Sequence, residues 1–215
     1  MTWAIVVAAG SGSRFGGAKQ FANVAGRSVV AHSVAACRSV ATTVVLVIPA
    51  DLDLAQLPAD HGADVVVRGG PTRSASVRLG LEVVPASVET VVIHDAARPA
   101  AASALFERVM AALEGGADAA ICAVAVTDTI KVVRHDAERT VVSVTLDRAS
   151  LVAVQTPQGF RTEVLRRAHL EGGEATDDAA LVESLGVSVV VVEGAPENRK
   201  LTVPADLELV AQGLQ

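Results

Sequence analysis

The chain has 215 residues and a formal net charge of −6 at pH 7; 51% of its residues are hydrophobic, but only 2% are aromatic. This length is typical of a single domain with a buried aliphatic core. The acidic balance argues against a nucleic acid or an anionic membrane as a partner, because both call for a basic face, and the shortage of aromatic rings argues against binding by base stacking.

Short runs rich in β-branched residues alternate with helix-like segments along the chain. The predicted strands are Ile5–Val7, Val44–Ile48, Val65–Val67, Val91–Ile93, Ala120–Val126 and Val187–Val192. The predicted helices are Ser28–Val40, Thr72–Val84, Ser103–Glu114, Thr162–Leu170 and Asp177–Leu185. Continuous apolar strands indicate a sheet that is covered on both faces. The sequence therefore predicts an α/β fold: a single Rossmann-like domain over residues 1–215, with a mostly parallel sheet and helices on both faces.

The first predicted strand leads into a loop of glycines and cations, Ala8-Ala9-Gly10-Ser11-Gly12-Ser13-Arg14, with Lys19 close behind. Glycine lets backbone N–H groups approach phosphate oxygens, and Arg14 and Lys19 supply positive charge, so the loop is a candidate triphosphate site. The alternative is a tight strand-to-helix connection without a ligand. Two commoner glycine loops do not match: Phe15 stands where a dinucleotide fingerprint needs a small residue, and Gln20 follows Lys19 where a P-loop needs Ser or Thr.

The region 127–147 interrupts the alternation of strands and helices. Thr129–Val133 and Thr140–Val144 have the pattern of two strands that are joined by a polar turn. An isolated hairpin is only marginally stable in water, so we expect this protruding β-arm to pack on another surface. A second copy of the chain is the natural candidate, which predicts a homodimer.

The last predicted helix has clear end signals. Thr176 precedes Asp177 and Asp178, the pattern of an N-cap followed by acids in the first turn, and Gly186 follows Leu185 as a stop. We interpret the two adjacent carboxylates as structural rather than as metal ligands.

Location and redox state follow from the N-terminus and the cysteines. Met1-Thr2-Trp3 lacks the basic segment of a signal peptide, and no run approaches the roughly 20 apolar residues of a membrane span, so we expect a cytoplasmic protein. Cys37 and Cys122 have no Cys or His at metal-ligand spacing, which predicts reduced thiols in the core.

Polar clusters follow several predicted strands, where ligands bind in open α/β sheets. After the glycine loop come Gly69-Gly70-Pro71-Thr72-Arg73-Ser74-Ala75-Ser76, then His94-Asp95-Ala96-Ala97-Arg98-Pro99, and finally Asn198-Arg199-Lys200. We interpret His94 as structural. Asp95, taken by itself, is equally compatible with a capping residue and with a ligand.

Together these motifs resemble the family of 2-C-methyl-D-erythritol 4-phosphate cytidylyltransferases, from the non-mevalonate route to isoprenoid precursors. The resemblance covers nearly the whole chain. Its carriers are Ala8–Arg14, Arg73–Leu81, His94–Pro99, Gln155–Gln158 and Thr176–Asp178, in this order. It implies a nucleotidyltransferase domain that transfers CMP from CTP to the polyol phosphate. The acceptor phosphate would attack the α-phosphorus in line, with Mg²⁺ carried by the triphosphate and no metal ligand from the protein.

The resemblance also implies three groups of site residues. The CTP-binding residues are Ala8, Ala9, Gly10, Gly12, Gly70, Pro71, Arg73, Ser76, Asp95 and Ala96. The residues that hold the acceptor phosphate are Arg98, Thr156 and Lys200, together with Thr129 and Arg148 of the second subunit, which reach across through the arm. The catalytic cations are Arg14, Lys19 and Lys200.

Alternatives remain open for several charged residues. The structural alternatives are a helix surface for Arg73, a salt bridge to a neighbouring acid for Arg98, a solvated charge beside Asp147 for Arg148 and a surface position for Lys200. The chain also departs from the family pattern, since only four residues separate Arg14 from Lys19 and Ala18 stands where the family usually has proline. Two rival functions are a cytidylyltransferase for another polyol phosphate, such as ribitol 5-phosphate, and a CTP-binding protein without turnover.

Overall fold

The computed structural model describes residues 1–10, 15, 17–136, 138–171 and 173–214. The strands are β1 (Thr2–Val7), β2 (Asn23–Val24), β3 (Arg27–Ser28), β4 (Thr43–Ile48), β5 (Val65–Arg68), β6 (Thr90–Asp95), β7 (Ala119–Ala125), β8 (Lys131–His135), β9 (Thr140–Thr145), β10 (Val152–Arg161) and β11 (Val189–Glu193). The α-helices are α1 (Val29–Cys37), α2 (Arg73–Glu82), α3 (Ser103–Glu114), α4 (Thr162–Glu171), α5 (Asp178–Ser184) and α6 (Asp206–Gln212).

A seven-stranded sheet in the order β11-β7-β10-β6-β1-β4-β5 forms the centre of the described chain. Strand β10 is antiparallel to both of its neighbours, whereas the other adjacent pairs are parallel. The predicted α/β class with a mostly parallel sheet is therefore confirmed. The carboxyl ends of β1, β4, β5 and β6 lie along one edge, so the loops that follow them can build one site.

Each central strand contributes alternate side chains to two cores. Ala4 and Val6 of β1 pack with α1 and α3 on one face, while Ile5 packs with α2, α4 and α5 on the other. This arrangement explains the continuous apolar strands, because both faces are covered by helices. Gly159 of β10 lets α3 approach closely, since a Cβ at this position would overlap Cγ1 of Val109.

Strand β10 and helix α6 were missing from the elements predicted from the sequence. Polar residues interrupt the apolar pattern of β10, but the strand lies between β6 and β7, and Gln155 and Gln158 are buried there with hydrogen-bond partners. The N-cap of α5 also differs from the prediction. It is Asp177, whose carboxylate accepts from the backbone N–H of Ala180 at 3.0 Å, and not Thr176.

The region 127–147 contains the predicted hairpin. Strands β8 and β9 form their own two-stranded antiparallel sheet, separate from the main sheet. Most of its side chains are exposed, and Val132, Val133, Val142 and Val144 each keep 42–58% of their surface accessible. The arm therefore presents apolar surface that this chain does not bury.

Both cysteines are buried free thiols, as predicted. Burial raises the pKa of Cys122 to about 12 and that of Cys37 further. Among the described helices, none has the length and apolar character that crossing a bilayer requires.

Candidate active site

A cavity of about 470 Å³ lies at the edge where β1 and β6 end and where the loop after β5 turns into α2. Its walls include eleven of the residues that were predicted to bind CTP or to act on it: Ala8, Ala9, Gly10, Lys19, Gly70, Pro71, Arg73, Ser76, Asp95, Ala96 and Lys200. The predicted Gly12 and Arg14 lie outside the described residues. The fold thus brings together segments that are separated by up to about 190 positions in the chain.

A second cavity, of about 410 Å³, adjoins the first. It is lined by the predicted acceptor-phosphate residues Arg98, Thr156 and Lys200. Arg73, Asp95 and Lys200 line both cavities. Two ligands bound side by side would therefore share one carboxylate and two cations at their boundary.

Two loops in direct contact form one wall of the first cavity. A Cβ on Gly69 would lie 2.6 Å from Cβ of Ala9, and one on Gly70 would lie 2.6 Å from Cβ of Ala75, so glycine is required for this approach. The Ser76 hydroxyl donates to the carbonyl of Thr72 at 2.8 Å and accepts from Gly70 N–H at 3.2 Å. Ser76, predicted to read cytosine, thus holds the loop from inside while it lines the cavity.

Lys19 lies in the short 3₁₀ helix that follows the glycine loop, and its ammonium donates to the carbonyl of Leu201 at 2.6 Å. The Gln20 amide donates to the carbonyl of Gly10 at 3.3 Å, which ties the glycine loop to the same helix. The bond to Leu201 holds the Lys19 side chain at the wall of the first cavity.

A chain of charges crosses the boundary between the cavities. The Asp95 carboxylate accepts from Lys200 at 2.6 Å and from Nε of Arg73 at 3.3 Å. Arg73 donates from Nη1 to Asp178 at 2.7 Å. Arg73 therefore forms internal ion pairs and is not a helix-surface residue. Asp178, which is fully buried, belongs to the same cluster of charges and is also the first residue of α5.

The electrostatics of this cluster favour the charged forms of Asp95 and Arg73. Burial alone would raise the pKa of Asp95, but the charges of Arg73 and Lys200 outweigh it and hold that pKa well below its usual range. Burial alone would lower the pKa of Arg73, but Asp178 and Asp95 raise it above its usual value. The boundary between the cavities thus carries fixed charges at neutral pH.

A second network fixes the backbone of Asp95. Its N–H donates to the Thr156 hydroxyl at 3.0 Å, that hydroxyl lies 3.0 Å from Nδ1 of His94, and Nε2 of His94 lies 3.2 Å from the carbonyl of Arg98. Burial lowers the pKa of His94 to about 4, so the ring is neutral, and the carbonyl requires the proton on Nε2. Thr156 must then donate to Nδ1.

This direction of hydrogen bonding uses the hydroxyl proton of Thr156 in this structure, and the predicted contact of Thr156 with the acceptor phosphate stays a prediction. A hydroxyl has one proton, and that of Thr156 is donated to His94, so in this arrangement it cannot also donate to a phosphate. The Thr156 side chain holds the backbone at Asp95. The structural interpretation of His94 agrees with its place in this network.

Among the described residues, Arg98 has no salt bridge to a neighbouring acid, which was the alternative considered for it. Its guanidinium donates to the carbonyls of Asn198 at 2.6 Å and Val154 at 3.4 Å. Its Nε is buried and has no hydrogen-bond partner in the described part of the chain. Burial, the main cause, lowers the pKa of Arg98 from its usual value. The residue lines the second cavity.

Asn198 positions the segment that carries Lys200, and sequence reasoning assigned it no role of its own. It is fully buried, and its amide donates to the carbonyl of Thr156 at 2.9 Å and to the side-chain oxygen of Gln155 at 3.2 Å. The signal was present in the polar cluster Asn198-Arg199-Lys200. Its partners lie about 40 positions away, so only the fold identifies them.

Thr129 and Arg148 lie apart from this arrangement. As the described residues define the two cavities, neither residue lines them, and both are exposed on or beside the arm. Arg148 donates to the carbonyl of Thr127 at 2.7 Å within its own chain. A role for these residues in catalysis therefore requires the cavity of another subunit.

Comparison with known proteins agrees with these features. The family model described as 2-C-methyl-D-erythritol 4-phosphate cytidylyltransferase matches residues 2–214. A protein of that name from Streptomyces coelicolor is 44% identical, covering 97% of this chain and 83% of that protein. The crystal structure of a protein of the same name from Thermus thermophilus superposes with a TM-score of 0.80 at 35% identity, covering 97% of this chain and 96% of the other.

Other relatives are longer than this chain. A protein from Solidesulfovibrio magneticus named "Bifunctional enzyme IspD/IspF" is 42% identical, covering 98% of this chain but 56% of that protein. The chain thus spans about half the length of the bifunctional relatives that it matches.

Proposed function

The chain belongs to the 2-C-methyl-D-erythritol 4-phosphate cytidylyltransferase family, and from this premise we propose that it transfers CMP from CTP to 2-C-methyl-D-erythritol 4-phosphate and releases pyrophosphate. The observation that carries the proposal is the pair of adjoining cavities that share Arg73, Asp95 and Lys200. A transferase needs two sites that meet at the reacting atoms, and this boundary offers the charges that a phosphate-to-phosphate transfer requires.

We assign CTP to the first cavity. The backbone around Ala8 and Gly10 faces the triphosphate, Gly70 and Pro71 face the cytosine, and Asp95 contacts the ribose. Lys19, on the wall of this cavity, is assigned to the phosphates, and the predicted Arg14 joins it. Support comes from the lining of this cavity, in which Gly70 and Pro71 lie beside Ala8, Ala9 and Gly10.

We assign the acceptor phosphate to the second cavity. Arg98 and Lys200 supply the positive charge, and the assignment is supported by their position, since both residues line this cavity. Thr156 contributes by holding Asp95, as its hydrogen bonds require.

The reaction requires no protein nucleophile. An oxygen of the acceptor phosphate attacks the α-phosphorus of CTP, a new P–O bond forms, and the bond from the α-phosphorus to the bridging oxygen breaks as pyrophosphate leaves. This chain would position the two phosphates and stabilise their charge through Lys19, Lys200 and the predicted Arg14.

A divalent ion such as Mg²⁺, when bound, would neutralise part of the triphosphate charge. Within the described residues, no group of three or more His, Cys, Asp and Glu side chains could hold a metal ion. Both oxygens of Asp95, which lines the first cavity, are paired with cations. We therefore expect the ion to enter on the triphosphate.

We further propose that the chain is a homodimer in which the arm 127–147 delivers Thr129 and Arg148 to the second cavity of the other subunit. The exposed valines of the arm support this proposal, because a partner surface would bury them. Mixing inactive Arg148→Ala and Lys200→Met subunits should restore about a quarter of the native activity, since heterodimers keep one intact site. If no activity recovers after subunit exchange has been demonstrated, Arg148 does not act in the cavity of the other subunit.

The test of the proposed function is pyrophosphate release with Mg²⁺ and CTP, comparing 2-C-methyl-D-erythritol 4-phosphate with ribitol 5-phosphate. UTP in place of CTP serves as the control. Turnover with ribitol 5-phosphate alone would keep the site and change the acceptor. If CTP binds but neither acceptor leads to release, the chain is a CTP-binding protein without turnover.

A further inference from the structure

We propose that His169 and Asp178 are positioning residues for the active site, which set the orientation of Arg73 and, through it, of Asp95. Within the described chain, neither His169 nor Asp178 lines either cavity. The proposal rests on the proposed function, because its main readout is turnover, but it also has a readout that requires no substrate.

The far end of the arrangement is a buried histidine–aspartate pair. His169 lies in the last turn of α4, Asp178 is the first residue of α5, and both are buried. Nε2 of His169 lies 3.0 Å from Oδ1 of Asp178, and Nδ1 of His169 has no partner among the described residues. Since a carboxylate oxygen accepts, the proton is on Nε2, and the carboxylate is held at one oxygen by the ring.

The other oxygen of Asp178 holds Arg73. It accepts from Nη1 of Arg73 at 2.7 Å, whereas Nε and Nη2 of the same guanidinium reach Oδ1 of Asp95 at only 3.3 and 3.4 Å. The shorter bond is the one to Asp178, so the guanidinium is anchored from the interior and only lightly held by the active-site carboxylate. The remaining oxygen of Asp95 accepts from Lys200.

This geometry makes the orientation of the guanidinium depend on His169. Without the N–H of His169, Oδ1 of Asp178 would be a buried acceptor with no donor among the described residues, which is costly. The carboxylate would then turn to give both oxygens to the guanidinium, the preferred fork geometry of an arginine–carboxylate pair. This rotation of the Asp178 carboxylate would draw Arg73 away from Asp95. The Asp95 carboxylate would then be held by Lys200 and would move towards it.

A buried ion pair is weak evidence for stability as such, since apolar residues often replace such a pair without loss. The chain of contacts from His169 to Lys200 has a geometric consequence instead. Through these contacts, His169 of α4 helps to hold the Asp95 carboxylate at the boundary of both cavities, although no described residue of α4 lines either cavity.

The test compares His169→Leu, which removes the donor, with His169→Gln, whose amide N–H can still reach Asp178. We expect His169→Leu to lower kcat by about tenfold to a hundredfold, the effect of a displacement near 1 Å at a reacting centre, and His169→Gln to stay near native turnover. His169→Asn, which is polar but too short to reach Asp178, should behave like the leucine variant and serves if that variant does not fold. Val164→Ala, in the same helix, is the control for lost packing and should lower Tm without lowering kcat.

A double-mutant cycle with Arg73→Met separates positioning from general destabilisation. If His169 acts through Arg73, then His169→Leu costs no further activity in the Arg73→Met background. Losses that multiply, or a lower Tm with unchanged kcat and KM in His169→Leu, would overturn the proposal.

The substrate-free readout is the NMR resonance of Nε–H of Arg73, identified by its loss in Arg73→Met. It should shift in His169→Leu and keep its native position in His169→Gln. An unmoved resonance in both variants refutes the positioning role, whether or not the protein turns over CTP. If the wild type lacks turnover but the Arg73 resonance still shifts in His169→Leu, only the proposed function is refuted.

Discussion

The burial of a neutral His94 makes a quantitative prediction about stability and pH. Burial lowers the pKa of this histidine from 6.5 to about 4, with partial opposition from the charge of Asp95 and the bond to the carbonyl of Arg98. Above pH 6.5 the ring is neutral in both the folded and the unfolded chain, so it contributes no pH dependence. Between pH 6.5 and 4, His94 is protonated in the unfolded chain but stays neutral in the folded chain, so the free energy of unfolding falls as the pH falls.

The size of this effect follows from the two pKa values. Each pH unit between them costs about 1.4 kcal/mol, so the loss between pH 7 and pH 5 is about 2 kcal/mol. Other groups titrate over the same range. The variant His94→Asn removes only the term that belongs to His94, because asparagine does not titrate.

The assay is urea unfolding of the wild type and of His94→Asn at pH 7 and at pH 5. The variant is expected to lose about 2 kcal/mol less than the wild type over this interval, whatever its absolute stability. His135→Asn, on the exposed arm, is the matched control and should follow the wild type. Equal losses in the wild type and in His94→Asn would refute the buried neutral ring and, with it, the hydrogen-bond direction assigned to Thr156.

Three further substitutions test the packing and the site. Gly159→Ala places a methyl group against Cγ1 of Val109 and should cost about 1–3 kcal/mol in urea unfolding; an unchanged midpoint would mean that α3 does not pack as described. Gly69→Ala places a methyl group 2.6 Å from Cβ of Ala9, so it should weaken CTP binding about tenfold or more in calorimetry and also lower Tm; native affinity would remove this loop from the nucleotide site. Lys200→Met removes the ammonium that lies 2.6 Å from Asp95 and should lower kcat by roughly two decades; native turnover would exclude Lys200 from the catalytic cations.

Local patterns in the sequence were sufficient for much of the fold and for the choice of family. Runs such as Val44–Ile48 are β-branched and apolar almost throughout, and this pattern alone predicts a buried strand, since a covered sheet leaves no polar face. The glycines at 69 and 70 belonged to a polar cluster that follows a predicted strand, where ligands bind in open α/β sheets. The order of five short motifs along the chain identified the family that the comparisons then showed.

The tertiary structure decided the features that depend on partners far apart in the chain. Strand β10 is a strand because β6 and β7 flank it and satisfy its backbone, although its own residues include three polar side chains in four positions. The direction of the Thr156 proton is set by His94, which lies 62 positions away. No local pattern contains this information.

The positions of the charged residues were predicted, but their pairing was not. Asp178 looked like an acid in the first turn of a helix, and the structure pairs it with Arg73, 105 positions away, and with His169. Sequence alone determined which residue types follow each strand, because strand and loop propensities act over a few residues. The order of the strands decided which of those residues meet, because hydrogen bonds and ion pairs form only between groups that the folded chain brings within about 3 Å of each other.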